Sequence, residues 1–315
     1  MTKTIEKYNQ KSLIKEILFW KKKRDAVILA HVYQPGEIQD IADFTGDSLF
    51  LSQQASRTDA KVIVFCGVHF MAETAAILSP EKIVLLPEVK AGCPMADMAP
   101  VEEVKNRIQE LPGVVVLSYV NSSAMVKSLS DYCCTSSNAV QVVKAISEEK
   151  DILFIPDMNL ADFTAKTSKR KIIPWQGFCP VHHFLTLDDV IKAKKLHPQA
   201  LILVHPECRP EICNLADYIG STRGITNFAC NNSAKEYIIA TELGILYPLK
   251  KINPHKKFFP ASENMVCQNM KLNTLEKVLY SLKNLEPRIT VPEEIQEKSL
   301  KALNRMMEIS KKAKL

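Results

Sequence analysis

Residues 27–35 read VILAHVYQP, and the pattern returns as VVVLSYVNSS from Val114 and LILVHPECRP from Leu201, at equal intervals of 87 residues. Each stretch opens with four or five aliphatic residues that do not alternate with polar ones. An unbroken apolar run of that length is the signature of a strand covered on both faces in a parallel sheet. Each run then stops abruptly in polar residues, where a strand leaves its sheet.

Three further landmarks keep almost the same period. TGDS ends at Ser48, CTSS at Ser137 and IGST at Thr222, and short strands closed by proline end at Pro87, Pro174 and Pro260. Cysteines follow at Cys93, Cys179 and Cys267, 86 and 88 residues apart. The expected order in each unit is strand, helix, helix, strand, helix, strand, which is an α/β arrangement. No Gly/Ser linker separates the units, so they are expected to pack around a common axis. The boundaries read as 1–100 for the first domain, joined by C-terminal helices at 268–315, then 101–185 and 186–267.

Outside the repeats, Leu13, Ile14, Ile17 and Leu18 share one face of a helix that runs to about Lys23. Near the other end, Asn273 with Glu276 gives a capping-box pattern ahead of the stripe Leu275, Val278, Leu279 and Leu282. A last helix carries Leu300, Leu303 and Met307. Both C-terminal helices are expected to return to the first unit and close the assembly.

Composition narrows the function. The chain has 315 residues, 46% of them hydrophobic, and a formal charge of +6. Apart from the run Lys21–Arg24, basic residues are dispersed among acidic ones, which argues against a nucleic-acid partner and leaves small anionic substrates open. No stretch is apolar enough for a membrane helix, and the polar opening MTKTIEKYNQ lacks the apolar centre of a secretory signal. A soluble, cytoplasmic protein is the expectation. Nine cysteines in such a setting point to metal or catalytic use rather than disulfides.

Ligand sites of parallel sheets lie beyond the carboxyl ends of the strands. There the repeats release His31 and Tyr33, then Tyr119 and Asn121, then His205 and Glu207. Ser48, Ser136 and Thr222, with Ser221 beside it, fall at expected helix starts, where free N–H groups attract phosphate or carboxylate. Capping alone would equally account for those hydroxyls. Three thiolates with no matching fourth ligand leave one coordination position open, on zinc or on an iron–sulfur cluster, and spacing does not choose between them. Cys66 reads as a buried hydrophobe, and Cys133, Cys134, Cys208, Cys213 and Cys230 as free thiols. Of these, Cys208 stands next to Glu207.

These residues sit in segments that resemble the quinolinate synthase family over nearly the whole chain: AHVYQ, GDSL, FMAETAAILSPEK, AGCPMADM, YVNSSA, CTSSNA, PDMNLA, WQGFCPVHH, VHPECRPE, GSTRGI, TELGI and CQNMK. The resemblance implies three homologous α/β/α domains with small parallel sheets around a pseudo-threefold axis. It also implies a 4Fe–4S cluster held by Cys93, Cys179 and Cys267. The implied reaction condenses iminoaspartate with dihydroxyacetone phosphate to quinolinate, with loss of phosphate and two waters, in NAD biosynthesis. Substrate contacts would fall on His31, Ser48, Tyr119, Asn121, Ser136, His205, Glu207, Ser221 and Thr222, with Tyr33 and His182 as additions. Glu207 would move protons, Tyr33 and Tyr119 would donate to developing negative charge, and His31 and His205 would tune the site. Transient contact with aspartate oxidase is a further implication. Some relatives carry a CxxC at the last ligand, proposed as a redox switch; here Cys267 is followed by QNMK, which removes that control.

Overall fold

In the structure, a computed structural model, residues 10–312 are described. Except for Gln10, the polar opening segment lies outside them. The three apolar runs become β1 (Ala26–His31), β5 (Val115–Tyr119) and β9 (Leu201–Val204), each an interior strand of its own four-stranded sheet.

The sheet orders are β2-β1-β3-β4, β6-β5-β7-β8 and β10-β9-β11-β12. The remaining strands are β2 (Phe44–Gly46), β3 (Val62–Cys66), β4 (Ile83–Leu85), β6 (Tyr132–Cys134), β7 (Ile152–Ile155), β8 (Ile172–Pro174), β10 (Tyr218–Ile219), β11 (Glu236–Ala240) and β12 (Lys257–Pro260). Every pairing within these sheets is parallel. One arrangement is therefore built three times, as the repeat implies.

The missing alternation has a direct cause. Leu29, Ile63 and Phe65 face one layer of helices, while Ile28, Val62 and Val64 face another, so successive residues of one strand serve two cores. The same division separates Leu117 and Phe154 from Val116 and Leu153, and Leu203 and Ile239 from Ile202 and Ile238. Each such aliphatic side chain contributes roughly 1.5–3 kcal/mol when fully buried.

Each unit holds one strand more than expected. β2, β6 and β10 are two or three residues long and lie at a sheet edge, too short to show any periodicity. Asp43, Asp131 and Asp217 secure them. Each donates its backbone N–H to the carbonyl of Ile28, Val116 or Ile202 and accepts the N–H of that same residue on its carboxylate, at 2.8 Å in all three units.

The helix Gln10–Lys23 buries Leu13 and Ile17 against the helix Leu275–Asn284, whereas Leu18 is exposed. That second helix is capped by Thr274, one residue beyond the expected Asn273, because the Asn273 amide is committed to the Gly67 carbonyl at 2.9 Å. The last helix, Glu293–Lys312, does not simply return to the first unit. It runs along the second, where Ser299 donates to the Ala124 carbonyl and Asn138 to Ser310, while Leu303 and Met306 enter a core shared by both units. No helix among the described residues is long and apolar enough to cross a membrane.

Candidate active site

The carboxyl ends of the three sheets open on one cavity of about 280 Å³. His31, Tyr33, Ser48, Tyr119, Asn121, Ser136, His182, His205, Glu207 and Thr222 line it, together with Cys93, Cys179 and Cys267. Ser221 stands behind the wall, capping the helix Thr222–Asn231 by accepting the Gly224 N–H at 3.1 Å.

One local device places residues from two units. At the end of β1 the Tyr33 N–H donates to His31 Nδ1 at 3.2 Å, and after β9 the Glu207 N–H donates to His205 Nδ1 at 3.3 Å. An Nδ1 that accepts leaves the ring hydrogen on Nε2 in the neutral form. Burial, joined by the Lys271 charge at His31, lowers that ring's pKa to about 3, and burial lowers His205 to about 3 as well. Both rings are neutral at neutral pH.

Glu207 is the charged centre. Burial opposes its ionisation, but His205, His182 and a hydrogen bond from Tyr119 outweigh that and hold its pKa down to about 2. His182 Nδ1 lies 2.8 Å from the Glu207 carboxylate, a close ion-pair distance without the alignment of a good hydrogen bond. Burial, with the Glu207 charge nearby, raises the Tyr33 and Tyr119 hydroxyls well above their usual range, so both remain donors. The Asn121 Oδ1 is buried with no protein partner, which leaves it to a bound molecule.

The hydroxyl segments of the three units meet at one point. Ser137 donates to Asp47 at 2.7 Å and lies 2.9 Å from the Ser221 hydroxyl. Asp47 caps the helix Ser48–Arg57 by accepting the Phe50 N–H. Ser48 and Thr222 thus open their helices as expected, but in the second unit the helix begins only at Ala139, so Ser136 precedes it by a turn. That turn is set by Asn138, whose side chain accepts the Thr135 N–H at 2.6 Å.

Each of the three cysteines precedes a short helical turn: Pro94–Asp97, Pro180–His183 and Gln268–Leu272. The Cys179 N–H donates to the buried Asp157, and the Cys267 N–H donates to the buried Glu242, both at 3.1 Å. Asp157 and Glu242 occupy the same place in their repeats, two residues past β7 and β11. The first unit has Val68 there, and its cysteine loop is held instead by Asn269, which donates to the Gly92 carbonyl at 2.9 Å. Neither carboxylate was singled out from sequence, although the segments PDMNLA and TELGI contain them.

Burial pushes the thiols up, Cys93 to about 12 and Cys179 and Cys267 also above their ordinary value. A cation among them would reverse that cost. Cys179, His182 and Glu207 bring ligand atoms within 4.8 Å of one another, close enough for a single metal ion. The other six cysteines lie off the cavity wall. Cys208, despite following Glu207, turns its sulfur to the Ala240 carbonyl at 3.6 Å.

Residues 15–308 match the family described as quinolinate synthetase A protein. The chain belongs to that family. It is similar to the quinolinate synthase of Thermodesulfovibrio yellowstonii, 56% identical over 93% of this chain and 97% of the relative. The quinolinate synthase of Desulforudis audaxviator is 53% identical over 94% of this chain and 97% of its own. That of Methanosarcina barkeri is 52% identical over 95% and 98%. Family membership accounts for the threefold fold and for the full-length likeness seen in the sequence segments.

Proposed function

We propose that this chain is a quinolinate synthase of NAD biosynthesis, a transferase-type condensing enzyme. It would join iminoaspartate to dihydroxyacetone phosphate and release phosphate and two waters. The observation that carries the reading is the single cavity on which three repeated cysteines and the strand-end residues of all three units converge.

The donor set fits a 4Fe–4S cluster. Cys93, Cys179 and Cys267 reach the same wall from three separate repeats, an all-sulfur donor set of the kind iron–sulfur clusters take. When bound, such a cluster would supply one iron without a protein ligand, a Lewis acid for substrate oxygen.

The remaining work falls to the chain. Ser48 and Thr222 at their helix starts, with Ser136 in the turn ahead of its helix, hold the phosphate first and a product carboxylate last. Asn121 and the Nε2–H groups of His31 and His205 orient the substrate by hydrogen bonds. Glu207, ionised at neutral pH, takes a proton from carbon and returns it to a departing hydroxyl. Tyr33 and Tyr119 donate to oxygen as negative charge develops on it. The protein acts in the cytoplasm in this reading, supplied with the imine by an amino-acid oxidase, and transient contact with aspartate oxidase is part of the proposal.

Protein purified without air should contain iron and sulfide, show visible absorption that oxygen bleaches, and release phosphate and quinolinate from the two substrates. A colourless, air-stable protein without product would overturn the proposal. The proximity of Cys179, His182 and Glu207 favours a second reading, a single metal ion at those residues. Metal analysis showing one zinc per chain, lost on Glu207→Gln, would decide for it.

A further inference from the structure

Tyr33, Asn121 and Glu207 reach the cavity just past β1, β5 and β9, and each is followed by a residue whose carbonyl has left the strand ladder. In every unit a side chain five residues further on donates to that carbonyl. Gln39 Nε2 donates to the Gln34 carbonyl at 2.9 Å, Lys127 Nζ to the Ser122 carbonyl, and Cys213 Sγ to the Cys208 carbonyl at 3.5 Å. Gln39, Lys127 and Cys213 stand 88 and 86 residues apart, the same offsets that relate Asp43, Asp131 and Asp217. The tie belongs to the repeat, made three times from an amide, an ammonium and a thiol.

The second unit's version differs most from the others. Lys127 is fully buried in the short helix Ala124–Ser128 and stands behind the cavity wall, its Nζ 5.5 Å from the centre of the Phe70 ring, which lines the cavity. Just beyond Ser122 the backbone is fixed as well: Glu73 of the first unit accepts the Ala124 N–H at 2.9 Å, and Ser299 of the last helix donates to the Ala124 carbonyl at 2.9 Å. Burying an ammonium is costly, and methionine, of nearly the same length, would serve packing better. What lysine adds is a strong donor for Ser122.

We infer that Lys127 is a positioning residue, whose tie to the Ser122 carbonyl fixes how Asn121 presents its side chain to the molecule in the cavity. The inference rests on the quinolinate synthase reading. Glu207 is steadied by His182 and Tyr33 by Thr241, but the Asn121 Oδ1 has no protein partner. The direction of that side chain is therefore inherited from its backbone. A charged donor holds a buried carbonyl more firmly than an amide does, and a thiol holds it least. The strongest of the three ties thus stands beside the site residue with the least side-chain support.

The test titrates quinolinate without air into wild type, Lys127→Met, Lys127→Gln, Asn121→Ala and the double variant Asn121→Ala/Lys127→Met, at matched iron content, with kcat measured beside it. Lys127→Met should weaken binding roughly 10-fold and lower kcat by less than about threefold, as expected for lost ground-state positioning. Lys127→Gln should recover to within about threefold of wild type, because the first unit shows an amide at the same position reaching the same carbonyl. Asn121→Ala and the double variant should bind alike, since Lys127 acts through Asn121. Unchanged binding in Lys127→Met, a glutamine no better than methionine, or a double variant that suffers both losses in full overturns the inference. Should Lys127→Met fail to fold, Lys127→Gln is compared with and without Asn121→Ala: its loss should vanish once Asn121 is gone, and a loss that persists overturns the inference. A wild type that neither forms nor binds quinolinate fails the functional reading instead.

Discussion

The first and second units share a layer of side chains in which Leu29 and Phe65, Leu117 and Phe154, and Leu303 belong to one core, whereas the third is built on two further cores, one of them entered by Leu185 and Val181 of the second unit. Val32 and Tyr33 are the first unit's apolar entries into the third. Polar ties join the third unit as well. Ser137 meets Ser221 at 2.9 Å, Tyr33 meets Thr241 at 2.7 Å, Asp40 binds Lys251 at 2.7 Å, and Lys271 pairs with Glu242 at 2.7 Å. Glycine at position 244 permits the closest approach, since a Cβ there would lie 2.6 Å from the Tyr33 Cα. Apolar layers hold two units together without regard to small changes in orientation, whereas hydrogen bonds depend on it. The third unit carries Glu207 and Cys267, so its orientation-dependent ties fix where both residues meet the other two units.

The proposed cluster needs both sides of that division, and the largest effect tests it. Cys93→Ala and Cys267→Ala should each abolish iron retention and quinolinate formation, measured as iron per chain and product released. If Cys267→Ala keeps its iron, the third unit is a bystander. Next in size, Glu207→Gln should leave iron content unchanged and lower kcat by about 10²- to 10⁴-fold. Retained turnover would remove its acid–base role.

A difference in stability should follow. Leu303→Ala, in the shared core, should cost about 2–5 kcal/mol in a urea titration and loosen both joined units. Leu249→Ala, in the third unit's own core, should instead raise hydrogen exchange first in that unit. Identical exchange patterns would erase the distinction between the two regions.

The smallest expected change is with pH. His31 and His205 fall from 6.5 to about 3 on folding, so between those values the unfolded chain binds more protons than the folded one. Stability should therefore decline as pH drops below 6.5, by on the order of 1 kcal/mol per pH unit for each ring. Melting temperatures of the metal-free protein that stay level from pH 7 to pH 5 would contradict the neutral, buried rings.

The sheets were legible because a strand serving two cores leaves an unbroken apolar run, and the strand-end site residues were legible because they follow those runs directly. The edge strands escaped notice: three residues such as Phe44–Gly46, partly exposed, carry no period. Asp43, Asp131 and Asp217 did carry the repeat, 88 and 86 residues apart, yet an aspartate before a loop reads as an ordinary turn residue until its partner strand is known. Helix ends shifted for a similar reason, since Asn273 and Asn138 are claimed by distant backbone and side chains. Thr241, Asp157 and Glu242 act through hydrogen bonds across the fold, which no local pattern announces.

Those three aspartates act as a fixed datum from which each binding loop is measured. From Ile28 to Asp43, Val116 to Asp131 and Ile202 to Asp217 the chain makes an excursion of 15 positions whose two feet are bolted together. Lengthening the excursion would move its tip without disturbing the sheet beneath. The three loops can thus diversify their reach independently while the scaffold stays in step.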